Sequence, residues 1–272
     1  MLGDFLSAID LPKSRIINYP RYIFLCGGPV PSNGSQTVPP SLRYSLLERI
    51  TSDHPDLKTN IVLAESIFAK FAKDDYGDLL TFERHLAGFC SAIVIILESP
   101  GAIAEFGAFV LLTEVVDKLY AVIDSKHYKS PSFIRKGPIE YLKQRQENQV
   151  ISHNWLTTKG TRPAVPKFRV FAADLIDELA EIHRSSPSSH KLDLSSHPHR
   201  MLLLASLLRV AKPLKFGEIA QCMQRISQDI TTKDLQRYLS MLQSLNLIEK
   251  HRHGHYRLLR KHQKFEFCRL DF

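Results

Sequence analysis

The stretch CSAIVIILESPGAIAEFGAFVLLTEVVD, from Cys90 to Asp117, decides how this chain reads. It opens with Ile93-Val94-Ile95-Ile96-Leu97, an aliphatic, largely β-branched run of the kind buried on both faces of a parallel sheet. Ser99 and Pro100 follow, a helix cap and a favoured first helical residue, and helix is expected from there to about Val116. Between Ser99 and Thr113 one side chain is ionisable, Glu105, set among Ile103, Phe106, Phe109 and Val110. A carboxylate in so apolar a helix costs several kcal/mol unless something answers it. The residues one turn away on its face, Gly101 and Ala108, are small and leave room beside it. The pattern reads as an acid in a pocket at the carboxyl end of a central strand, where open α/β sheets bind ligands. A helix-dipole partner or a solvent-facing residue is the competing reading of Glu105.

Working outward, Tyr22 to Cys26 is a compact apolar strand ending in Gly27-Gly28-Pro29. Glycines placed there let backbone amides approach a ligand, although many such turns bind nothing. Residues 31–40 are a Pro/Ser/Gly loop, expected to be mobile. Leu42–Ile50 is expected as helix, Asn60–Ala64 as a second strand ending at Glu65, and 78–89 as a helix carrying Glu83. Leu119–Ile123 is a further strand, Phe168–Phe171 a candidate last strand and Ala173–His183 a helix. Residues 1–20 carry little signal. Alternating strands and helices predict an α/β, Rossmann-like, mostly parallel sheet with helices on both faces. A polar, aperiodic linker at 184–198 divides a first domain, 1–183, from a second, 199–272.

Composition agrees with two functions in one chain. From His199 onward there are 14 Lys and Arg against 6 Asp and Glu, whereas Met1 to Pro198 holds 22 of each. All of the +8 net charge therefore sits on the last quarter, which suits a polyanion, while the neutral part suits a small molecule. Hydrophobic content of 44% with 24% charged residues is that of a soluble globular protein. The apolar runs are too short for a bilayer, and no signal peptide opens the chain. The four scattered cysteines lack metal-ligand spacing and fit free thiols in a reducing cytoplasm, so neither a metal nor a cofactor is expected.

In the basic part, Met201–Val210, Leu214–Met223 and Lys233–Leu245 read as three helices, and 249–258 as a hairpin turned at Gly254. Three helices and a basic hairpin outline a small winged helix-turn-helix domain. Lys233, Gln236, Arg237, Arg252 and Arg257 would face nucleic acid there, with Tyr256 stacking on a base. A protein-docking role is the alternative for the same fold, and the charge favours nucleic acid. A solvated wing is the preferred reading of the alternating His251, His253 and His255, over a metal site.

Tyr22-Ile-Phe-Leu-Cys-Gly-Gly28 resembles the first strand and loop of the nucleoside deoxyribosyltransferases, and Ser99-Pro-Gly-Ala-Ile-Ala-Glu-Phe-Gly-Ala108 resembles their nucleophile helix. Glu98-Ser-Pro-Gly101, Glu105-Phe-Gly-Ala-Phe109 and Ser132-Phe-Ile134 with Gly137-Pro138 are more similar to a branch of that fold, the effectors of retron anti-phage systems. The resemblance implies a toxic N-glycosidase with Glu105 as nucleophile, hydrolysing a nucleotide or NAD. It also implies substrate contacts from Cys26, Gly27, Gly28, Glu65, Glu83, Glu98, Ser99 and Gly101. Solvated surface charge is the rival reading for Glu83 and Glu98. The transferases usually carry an Asp-containing segment where this chain has Glu98-Ser99-Pro100, which favours hydrolysis over base exchange. The implied partners are the retron reverse transcriptase and its multicopy single-stranded DNA/RNA hybrid, which would hold the toxin inactive. A homo-oligomer is expected. A ligand-sensing transcription regulator, joining a Rossmann-like sensor to a DNA-reading winged helix, explains the same charge split.

Overall fold

The computed structural model describes residues 8–31, 39–68, 76–155, 165–185, 189–211 and 213–271. Their contacts gather into two compact units, one from residues 21–64 and 90–186, the other from 1–20, 65–89 and 187–272. This grouping differs from a simple split at 184–198: an N-terminal segment and residues 65–89 go with the C-terminal part. The mobility expected for the 31–40 loop falls on residues 32–38, outside the described residues.

The first unit is built on five parallel strands in the spatial order Ile61–Val62, Ile23–Cys26, Ala92–Ile96, Leu119–Asp124, Val150–His153. Taken in chain order this is 2-1-3-4-5, a doubly wound arrangement whose direction reverses between Ile23–Cys26 and Ala92–Ile96. Every residue of Ala92–Ile96 has no exposed surface, as its aliphatic run predicts. Phe24 pairs with Ile93 on one side, and Ile93 with Leu119 on the other.

Helices Leu42–Asp53 and Val165–Ser185 pack together against Val94, Ile96 and Val122. The second of these corrects the candidate strand at Phe168–Phe171. Phe168, Phe171, Ala172, Leu175, Ile176 and Leu179 are all buried at helical spacing, and the helix absorbs the whole run. The fifth strand is instead Val150–His153, only half-buried at the sheet edge and so without an aliphatic run. The helix that carries Glu105 is also shorter than expected. It spans Pro100–Phe109, capped by the Ser99 hydroxyl on the Ala102 amide, and the β-branched Val110, Thr113, Val115 and Val116 lie beyond its end.

In the other unit the low-information N-terminus forms a strand, Asp10–Ile17, between Cys268–Asp271 and Ser189–Lys191. Part of the expected linker is therefore ordered: Ser189–Lys191 is a strand, and helix His197–Val210 begins inside the same stretch. Helix Leu79–Phe89 joins this unit through packed rings. Tyr76 Oη lies 3.0 Å from His85 Nδ1, His85 packs 4.5 Å from the His197 ring, and His197 Nδ1 meets Tyr238 Oη at 2.6 Å. Burial drives the His85 pKa down to about 3, so the ring stays neutral in this stack. Helices His197–Val210, Phe216–Ile226 and Thr232–Ser244 are followed by strands Ile248–Lys250 and His255–Leu258. The hairpin turns at Gly254, whose φ of 76° suits glycine, and His255–Leu258 lies between Ile248–Lys250 and Leu214–Lys215.

In the parallel-sheet unit one carboxylate ties together the segments leaving the first and third strands in chain order. Glu98 Oε1 accepts the Gly28 amide at 2.9 Å and the Arg43 amide at 2.9 Å; Oε2 accepts the Leu42 amide at 2.6 Å. Gly28 is forced by this packing, since a Cβ there would lie 2.6 Å from the Ser41 Cβ. Desolvation raises the Glu98 pKa above 4.5, outweighing the amide bonds that act to lower it. With the folded pKa raised, folding takes up a proton, so Glu98 contributes less stability as pH rises above 4.5. Glu98→Ala, leaving three amides without their acceptor, is expected to cost about 3–5 kcal/mol in urea unfolding at neutral pH. Against Glu98→Gln, which does not titrate, the parent's stability advantage should shrink as pH is raised through that window. An advantage that grows with pH would contradict the raised pKa.

Candidate functional site

The carboxyl ends of Ala92–Ile96 and Leu119–Asp124 open into a cleft of about 540 Å³. Its floor is Leu97, Ile123, Trp155 and Phe168, and Pro100, Ile103 and Ile134 form its walls. Ser99, His127, Ser130 and Ser132 supply polar groups, and Glu98 borders it while bound to the three amides. Asp124, fully buried, accepts the Trp155 amide with one oxygen and the Lys126 amide with the other, both at 2.8 Å. One carboxylate thereby fixes the floor and the short helix that carries His127. Trp155 is braced from behind by Phe171, and Phe171 by His153, with near-parallel rings 5.7 Å and 4.0 Å apart.

Glu105 is half-buried on helix Pro100–Phe109, and its Oε2 is sealed from solvent. It is absent from the lining of this cleft, to which the same helix presents Pro100 and Ile103. At about 100° per residue, Glu105 and Ile103 stand roughly 160° apart around the axis. The acid and the cleft therefore occupy opposite flanks of one helix. Gly101 has open space beside it on the Glu105 flank.

The other expected substrate contacts fall in different places. The Cys26 side chain is buried, leaving its backbone alone to meet a ligand. Gly27 and Gly28 lie against Arg43, Ser41 and Glu98. Ser99 donates to the Gly27 carbonyl at 3.1 Å while capping its helix. Solvated surface charge is not the state of Glu83 or Glu98: Glu83 is 5% exposed and Glu98 is held by amides. Glu83 and Glu65 belong to the second unit, Glu65 as an exposed residue of helix Ala64–Phe68. His127, Ser130 and Trp155 were not singled out from sequence, and Ser132 entered only within the Ser132-Phe-Ile134 resemblance. They come from the irregular region 127–165, where no periodicity marks a surface.

On the basic unit, Lys233, Gln236 and Arg252 are exposed. Arg237 is held near Asp234, at 3.9 Å, and over the Tyr76 ring, at 5.5 Å. Arg257 donates to Glu249 at 2.5 Å. Tyr256 corrects the expectation of base stacking. It is 7% exposed, because its strand turns the ring inward, and Lys250 Nζ sits 5.2 Å from the ring centroid.

All four cysteines are free and buried. Among the described residues no group of three His, Cys, Asp or Glu is placed to hold a metal, and no helix is long and apolar enough to cross a membrane.

Two proteins of Escherichia coli are similar to this chain. "Retron Ec73 putative ribosyltransferase/DNA-binding protein" is 23% identical over 265 residues, covering 92% of this chain and 81% of that protein. "Retron Ec86 putative ribosyltransferase/DNA-binding protein" is 31% identical over 130 residues, covering 47% of this chain and 39% of that protein. A family model described as STM3845 retron effector protein matches residues 39–250, spanning four of the five parallel strands, the Glu105 helix and most of the basic region. The chain belongs to that family of retron effectors.

Proposed function

We propose that this retron effector is a toxin that cleaves the N-glycosidic bond of a nucleotide or NAD, with Glu105 as its nucleophile. The observation that carries this reading is the setting of Glu105. It is the ionisable side chain of an otherwise apolar helix leaving the central strand, half-buried, with one oxygen shut off from water. A carboxylate kept partly dry is a stronger partner for the positive charge that develops on a ribose as its base departs. In the reaction a Glu105 oxygen bonds to the anomeric carbon, and the C–N electron pair leaves with the base. Water then attacks the anomeric carbon and the bond to the carboxylate breaks, which leaves a hydroxyl on the sugar, releases the water's other proton and restores Glu105. A nicotinamide leaves neutral without a proton; a purine takes one from water. The ribosyltransferase in the names of both relatives is compatible with this chemistry.

The basic unit reads as a winged helix that holds the retron's DNA–RNA hybrid or reverse transcriptase and keeps the toxin quiet. Its support is the helix–strand–helix–helix–strand–strand order from His197 to Leu258, and the DNA-binding wording in the relatives' names. That wording equally suits a sensor-type regulator, for which an ionised acid at position 105 serves no purpose.

Glu105→Gln keeps the shape and removes the nucleophile. Release of free base from NAD or nucleotides, followed by chromatography, should fall by about 10⁴-fold or more. Equal turnover by parent and variant would remove Glu105 from the chemistry, and no turnover by the parent, even freed of retron partners, would favour the regulator. On the basic unit, Lys233→Glu with Arg252→Glu should weaken binding to a DNA–RNA hybrid. The slope of log K against log salt should fall by about two, as two phosphate contacts are lost. An unchanged slope would place the nucleic acid elsewhere.

A further inference from the structure

The cleft on the far flank of the Glu105 helix has a chemistry of its own. Its floor is apolar and aromatic, with Trp155, Phe168 and Ile123 each no more than 2% exposed. Ile103, 46% exposed, projects at its side. Neither Lys nor Arg is among its described lining residues. Its ionisable side chains there are Glu98 and His127. Glu98 uses three of a carboxylate's roughly four acceptor sites on backbone amides. Among the described lining residues, the polar groups left to face a ligand are therefore an imidazole and the hydroxyls of Ser130 and Ser132, groups that both donate and accept hydrogen bonds.

These polar groups are also held in place. Asp124 pins the short helix of His127 through Lys126, and pins Trp155 opposite. Arg135 lies 4.4 Å over the Tyr128 ring and bonds Glu140 at 2.5 Å, bracing the 130–134 segment against that helix. A π-helical turn, Arg135–Ile139, follows this segment; such turns recur at functional sites. A small-molecule site has this character: a few hundred Å³, mostly apolar, with a few positioned polar groups.

We propose that this cleft binds a neutral heteroaromatic base, a free nucleobase or its nucleoside, at a site separate from the Glu105 reaction centre. The apolar interior suits a flat ring. The imidazole and hydroxyls suit ring nitrogens and exocyclic amino or carbonyl groups, which need partners of both hydrogen-bonding senses. A phosphate is disfavoured by the described lining, which holds neither Lys nor Arg to offset its desolvation. This rests on the proposed N-glycosidase only in that such a reaction releases a base of this class; binding itself needs no turnover.

The chain's single tryptophan is Trp155, so intrinsic fluorescence reports on the cleft floor alone. The full chain carrying Glu105→Gln, which leaves ligands intact, is titrated with adenine, nicotinamide, adenosine and AMP, exciting at the red edge of the indole band. A saturable change with adenine or nicotinamide is expected, with adenosine binding more tightly than AMP. Ile103→Arg places a cation at an exposed cleft wall without touching the core, and should weaken neutral-base binding about tenfold or more. Ser132→Tyr, filling the cleft from the other wall, should do the same. No saturable change with any neutral base, or affinities unaltered in both variants, would overturn the proposal. Failure of the parent to cleave NAD would sink the glycosidase reading and leave this one standing. Cleavage by the parent with a silent Trp155 would do the reverse.

Discussion

The parallel-sheet unit depends on an acid that holds a junction. Three amides converge on Glu98 from the loop after the first strand and from the start of helix Leu42–Asp53. Two of them belong to a helix N-terminus, whose dipole favours negative charge. Arg43, the residue donating one of the amides, sends its guanidinium back to the Gly28 carbonyl at 2.7 Å. The loop at the reversal of the sheet is thus fixed on both sides of its peptide planes. The desolvation of Glu98 is the cost of that fixation, and its raised pKa registers it.

The same residue shows how far sequence could be read. Glu98-Ser99-Pro100 marked the strand-to-helix junction because its local signals, an aliphatic run and a cap, act over a few residues. That Glu98 would serve backbone amides some 55 to 70 positions earlier has no local signature. Strand Asp10–Ile17 was illegible for the same reason: its partners are Ser189–Lys191 and Cys268–Asp271, and its burial alternates without an apolar run. Val150–His153 sits at a sheet edge and needs only half an apolar face. Val165–Ser185 did carry a helical period. Reading only the apolar block from Phe168 to Phe171 hid it, because Phe and Val at close spacing suit a strand equally well.

Glu105 was the most legible residue, since an acid among Ile, Phe and Val stands out whatever the fold. Its flank was not legible. The helix divides two surfaces, and small residues at 101 and 108 describe only the room beside the acid. The cleft on the other flank is assembled from separate pieces of chain, Pro40, residues 97–103, 123–134, Trp155 and Phe168. It became visible only once the sheet brought them together.

Charge on the basic unit calls for the same discrimination between composition and placement. Counting from His199 gives a large positive excess, yet Arg200, Arg209, Arg237 and Arg257 are each engaged with a carboxylate of Asp229, Glu266, Asp234 and Glu249. Arginine's planar fork suits such internal pairing, and those four guanidinium groups brace the unit. Lys233 and Arg252 remain exposed, at the start of helix Thr232–Ser244 and at the hairpin turn. Lys215, Arg225, Lys250, Arg260, Lys261, Lys264 and Arg269 are exposed as well, so the positive charge left facing solvent is spread over several elements and not confined to the helix and the hairpin.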